Sequence, residues 1–142
     1  PMKKTRTVLA AIALGVATSA AATSAAAGDP TGVWMRSAGT SKIRIEPCGS
    51  AYCGTVVWEK NPRKDIYNPD PAKREQPVTG RRVLLGMAAS GTPDQWKGEV
   101  YNAEDGKTYT GYITLEGADK LKLQGCVLGG LICKSDVWSR SR

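Results

Sequence analysis

The chain contains no histidine and no phenylalanine. The first absence excludes Ser/His and Cys/His nucleophile pairs and imidazole zinc sites together. The second leaves Trp34, Trp58, Trp96, Trp138, Tyr101 and Tyr109 to supply most of the large apolar surface. A phosphate-cradling glycine motif is also missing: Gly86 and Gly91 stand alone, and Gly98 falls inside a strand-like run. No cysteine pair has the C-x-x-C spacing of redox motifs. A carboxylate pair is the simplest remaining route to catalysis. Most of the 13 acids fall in turns or at outward positions, so a non-enzymatic protein without metal or cofactor is expected.

Long apolar runs are absent as well. Val8 to Ala17 is short, and no later stretch approaches the roughly 18 residues of a membrane-spanning helix. The start, PMKKTRTVLAAIALGVATSAAATSAAAGDP, has the basic, apolar and small-residue order of a secretory leader over residues 1–27, cleaved before Gly28. Residues 28–142 are then one domain with one core. No cysteine follows the cleavage site to carry a lipid anchor. Loss of Lys3, Lys4 and Arg6 with the leader lowers the formal charge from +7 to +4, which is ordinary solubility rather than a nucleic-acid footprint. A periplasmic or secreted location follows.

In an oxidising compartment the four cysteines favour disulfides. Two local pairings are expected. Folding Ser41 to Glu59 about a turn at Ser50-Ala51 sets Ile43 opposite Trp58 and Ile45 opposite Val56 on one face, with Cys48 opposite Cys53 and Lys42 opposite Glu59 on the other. In GCVLGGLICKSDVW, a turn at Gly129-Gly130 sets Cys126 opposite Cys133.

From Gly28 onward the chain reads as short β-runs between turn signals, with no useful helical period. Eight strands are expected, near 32–36, 41–47, 53–59, 82–88, 96–101, 107–115, 120–126 and 131–140. The fold class is all-β, an eight-stranded antiparallel up-and-down barrel with two disulfide-stapled hairpins. A sandwich of two four-stranded sheets fits the same pattern, but consecutive short turns suit a meander better. The long connection from Lys60 to Arg81, with four prolines and the turn-forming Asn68-Pro69-Asp70-Pro71, either caps a barrel mouth or covers a sheet edge.

Carried down the last hairpin, the Gly129-Gly130 register sets Leu123 opposite Asp136 and Leu121 opposite Trp138. Asp136 then faces the apolar side, where it needs a partner or a ligand, and Arg140 is the expected partner; a bulge turning Asp136 outward is the alternative.

Gly32-x-Trp34 on the first strand, with Arg140 just past Trp138, resembles the lipocalin pattern, by which Arg140 stacks on Trp34 and closes one barrel end. A fuller series follows one order along the chain. It comprises Gly32-x-Trp34, Ile45-Glu46-x-Cys48-Gly49 with Cys53-Gly54, Asn68-Pro69-Asp70-Pro71 with Pro77 and Gly80, Trp96-x-Gly98, Glu104 through Tyr109, and Gly125-Cys126 through Trp138-x-Arg140. It resembles the exported bacterial family called domain of unknown function 2147. The resemblance implies a lipocalin-like barrel without an assigned activity. This chain departs from that pattern at Gln76, where a basic residue is common, and at Ala103, where a proline is common.

Two binding functions compete. One is a carrier or scavenger of a small, mostly apolar molecule held against Trp58, Tyr109, Leu121 and Leu123, with Asp136 or Arg140 meeting a polar end. The other is a cell-envelope protein-binding module or inhibitor acting through the 60–81 loop. An enzyme using Asp136 with a second acid is a third reading. The sequence leaves the oligomeric state open.

Overall fold

The computed structural model describes residues 28–142, together with 2, 3, 10–13 and 15. The leader expected over residues 1–27 lies for the most part outside the described residues.

All eight expected strands form, each within two residues of its expected ends: β1 (Gly32–Met35), β2 (Ser41–Cys48), β3 (Ala51–Glu59), β4 (Arg82–Ala89), β5 (Gln95–Asn102), β6 (Lys107–Leu115), β7 (Lys120–Val127) and β8 (Ile132–Arg140). Each pairs with its neighbour in sequence. β1 closes the circle on β8 through Trp34 opposite Arg140 and Met35 opposite Ser139, so the sheet is a closed barrel rather than a sandwich. Single-turn 3-10 segments lie at Pro71–Lys73 and Leu128–Gly130.

The meander sorts the connections by end. The turns after β2, β4 and β6 gather at one end with the start of β1. The turns after β1, β5 and β7 gather at the other with the 60–81 loop. A closed barrel leaves no sheet edge to cover, so the long loop lies at a barrel mouth.

The first hairpin is stapled as expected but in a different register. It turns at Gly49-Ser50, where Gly49 takes the left-handed φ of 65° that a tight two-residue turn requires. Cys48 therefore pairs with Ala51, Ile45 with Gly54 and Ile43 with Val56. The disulfide joins Cys48 to Cys53 across the diagonal, at a Cα separation of 5.5 Å. A slip of two residues preserves faces, so Ile43 and Ile45 still point inward. Past Ile43 the register shifts again through an extra residue, Val57, and this bulge reverses the next position. Trp58 accordingly pairs with Lys42 and faces outward, 39% exposed, with the Lys42 ammonium 5.5 Å from its ring centroid. The expected inward position of Trp58 is corrected by that bulge.

The last hairpin keeps its expected register: Cys126 opposite Cys133, Leu123 opposite Asp136 and Leu121 opposite Trp138. Both disulfides lie on the outer face, one at each end of the barrel. The inner face holds a core of Trp34, Ile43, Ile45, Leu84, Ile113, Leu121 and Trp138, all nearly or fully buried.

Candidate functional site: a cavity at the barrel mouth

Glycine opens the inner face as the core approaches the mouth. Across β6, β7 and β8, the inward layers run Leu115, Leu121, Trp138, then Ile113, Leu123, Asp136, then Gly111, Gly125, Lys134. A Cβ on Gly111 would meet Val100 Cγ2 at 2.1 Å, so Val100 occupies that space. A Cβ on Gly125 would meet nothing within 4 Å. The layer is left hollow there, and a cavity of about 600 Å³ opens to solvent, walled by Ile43, Val56, Val78, Leu84, Val100 and Leu123. That volume is in the range of roughly 300 to 1,000 Å³ typical of small-molecule pockets.

Polar groups are confined to the upper wall. Asp136 points inward and is a quarter exposed. It accepts hydrogen bonds from Trp138 Nε1 at 2.9 Å and from Ser37 Oγ, and Arg36 Nε lies 3.7 Å away. The expected Arg140 partner is corrected: Arg140 lies roughly 13 Å farther along the strand, and its guanidinium is taken up by the Trp34 ring and the carbonyls of Thr31 and Ala118. Glu59, nearly buried, accepts from Arg63 Nε at 3.2 Å and from Thr79. Lys134 lines the same wall and makes no ion pair among the described residues. Tyr109 stands at the rim and donates its hydroxyl to Asp105. Burial opposes ionisation of Asp105, but hydrogen bonds from Tyr109 and from the Lys107 backbone outweigh it and hold the carboxyl below its ordinary range.

The opposite end is shut. The Arg140 guanidinium lies 4.3 Å from the Trp34 ring centroid and donates to the carbonyl oxygens of Thr31 and Ala118 at 2.7 and 2.9 Å. Trp34 Nε1 donates to the Pro30 carbonyl. The structure thus brings Tyr109, Leu123 and Asp136 to one cavity and places Leu121 in the packed layer beneath it. Arg140 and Trp34 are at the far end, and Trp58 is outside the barrel.

The sequence reading missed the residue that holds the long loop. Asp65, fully buried, accepts hydrogen bonds from Tyr101 Oη at 2.6 Å, Asn68 Nδ2 at 2.8 Å and Arg81 Nε at 2.9 Å. Tyr101 follows Lys97 and Glu99 on the outward side of β5, so the loop reaches round the rim onto the barrel wall. Burial and the bond to Asp65 push the Tyr101 phenol up to about 12. Val78, from the same loop, is buried and completes the cavity wall. A lone aspartate in a proline-rich loop carries no periodic signal. Only its neighbours in NPDP hinted at order.

Among the described residues no cluster of His, Cys, Asp and Glu could hold a metal ion, and no helix is long and apolar enough to cross a membrane.

The family model described as an uncharacterized protein conserved in bacteria, domain of unknown function 2147, matches residues 32–140. No curated protein matches the chain. A solved structure from Helicobacter pylori, described as a protein belonging to the lipocalin family, is similar with a TM-score of 0.71 at 20% sequence identity, covering 80% of this chain and 84% of that one. At that identity the likeness is one of fold.

Proposed function

Since the chain belongs to the bacterial family of domain of unknown function 2147, and its barrel is lipocalin-like, we propose that it binds a small, mostly apolar molecule in the barrel interior. The observation that carries this reading is the hollow beside Gly125, a space of about 600 Å³ with Ile43, Val56, Leu84, Val100 and Leu123 on its walls and polar groups toward its open mouth, in a barrel whose far end is closed by Trp34 and Arg140. Leu123 and its neighbours grip the apolar body. Lys134 and the Asp136 cluster face any polar end. The leader-like start and the two disulfides support a carrier or scavenger working in the bacterial cell envelope. Native mass spectrometry of protein purified without denaturation from its own host tests this. A stoichiometric small-molecule adduct that leaves on unfolding is expected, and the mature mass reports leader removal before Gly28.

A second reading rests on Ile66 and Tyr67, which the anchored loop presents 55% and 57% exposed. On this reading the loop is a contact surface for an envelope protein. Deleting residues 66–72 would then abolish partner capture while sparing the barrel.

A further inference from the structure

The β7–β8 hairpin ends in aliphatic side chains that nothing in the fold covers. Leu128 is 68% exposed, Leu131 85%, Ile132 55% and Val127 40%. Contiguous exposed apolar clusters of this kind mark interaction sites. The tip is convex and held rigidly, because the Cys126–Cys133 disulfide staples its base and the Leu131 amide donates back to the Leu128 carbonyl. Leu128 keeps its place there with φ at 54°, a conformation in which leucine is uncommon.

The chemistry around the tip names its partner. A shallow depression runs from Val127 and Leu128 onto the outer wall of the barrel, and Lys97, Lys107 and Tyr112 line it without any acidic side chain. Lys97 and Lys107 form no ion pair among the described residues. A protruding aliphatic tip flanked by lysines and tyrosine is the arrangement that suits a bilayer surface. Aliphatic groups enter the acyl boundary, tyrosine sits at headgroup level and ammonium groups meet phosphates. We infer that the 127–132 tip docks this protein on an anionic phospholipid surface. Val127 and Ile132 also line the cavity mouth, so docking turns the opening toward the membrane. The inference does not depend on the cavity being a ligand site, because its test reads vesicle binding alone.

The test is co-sedimentation of the intact protein with equimolar phosphatidylethanolamine–phosphatidylglycerol vesicles and with phosphatidylcholine vesicles. Binding to the anionic vesicles is expected to be roughly tenfold tighter than to the neutral ones and to weaken with salt. Leu128→Asn combined with Leu131→Ser should lower it by about tenfold or more, since the two aliphatic side chains that would enter the acyl boundary are lost. The thermal midpoint should hold, because asparagine accepts the left-handed backbone and both sites are exposed. Lys97→Gln with Lys107→Gln should remove the preference for anionic lipid. The inference is overturned if neither vesicle binds, if the tip variant binds like the native chain, or if the two lipid compositions bind equally. It is also overturned if the tip variant merely converts a dimer to a monomer, which would make the tip a protein interface.

Discussion

Tyr101 donates its hydroxyl to the buried carboxylate of Asp65, 2.6 Å away, and this bond ties the long loop at the mouth to strand β5. Three donors converge on that one carboxylate, Asn68 and Arg81 being the others. The loop is therefore a fixed part of the cavity wall, with Val78 as its inward contribution.

The anchor gives stability a signature at alkaline pH. In the unfolded chain Tyr101 ionises near 10, and in the fold near 12. The unfolded state loses the proton first, so the contribution of this group is whole below pH 10 and falls away as pH rises toward 12. The loss is on the order of 2 kcal/mol. Urea unfolding across that window should show a steeper decline for the native chain than for Tyr101→Phe. Parallel slopes would mean the phenol is not held as described.

Removing the acceptor is harsher. Asp65→Ala leaves three buried or half-buried donors unpaired and should cost about 2–4 kcal/mol. Limited proteolysis would then cut within 60–81 before the barrel unfolds, whereas the native loop resists.

At the sealed end, Arg140 combines a stacked guanidinium with hydrogen bonds to the carbonyls of Thr31 and Ala118. Arg140→Ala should destabilise by about 1–3 kcal/mol. Arg140→Lys should recover little, because a point-like ammonium cannot stack and bridge two carbonyls together. Urea denaturation followed by circular dichroism measures both. Full rescue by lysine would show that charge alone matters there.

The disulfides close loops of six and eight residues, so the chain-entropy view gives each about 2–2.5 kcal/mol. Replacing Cys48 and Cys53, or Cys126 and Cys133, pairwise by serine should lower stability by that amount without loss of the barrel circular-dichroism signature. They lie at opposite ends of the barrel, so the two effects should add.

Strand alternation, glycine turns and cysteine spacing made the barrel legible in the sequence, and Gly129-Gly130 set the last hairpin down to Asp136. Other features depend on contacts that no local pattern encodes. The Val57 bulge interrupts a run of alternation that reads equally well without it, and that alone moved Trp58 from inside to outside. The expected partner of Asp136 lies on its own strand, whereas its actual partners, Arg36 and Ser37, follow the end of the adjacent strand β1, whose pairing with β8 no local pattern encodes. Inward glycines at 98, 111 and 125 were visible as strand glycines. Whether each leaves space depends on what faces it: the Leu85 carbonyl covers Gly98, Val100 covers Gly111, and nothing covers Gly125.

That last contrast makes Gly125 the position at which ligand binding in the barrel is best tested. A Cβ at this position meets nothing within 4 Å, so a leucine side chain has room to enter and narrow the cavity while the barrel stays folded. The measurement is titration of a naphthylamine fluorophore into the native chain and into Gly125→Leu, with thermal midpoints taken alongside. Saturable binding of one probe per native chain is expected, with a loss of affinity of about tenfold in Gly125→Leu at an unchanged midpoint. Equal affinity in the two proteins, or no saturable binding in either, would contradict binding in the barrel interior.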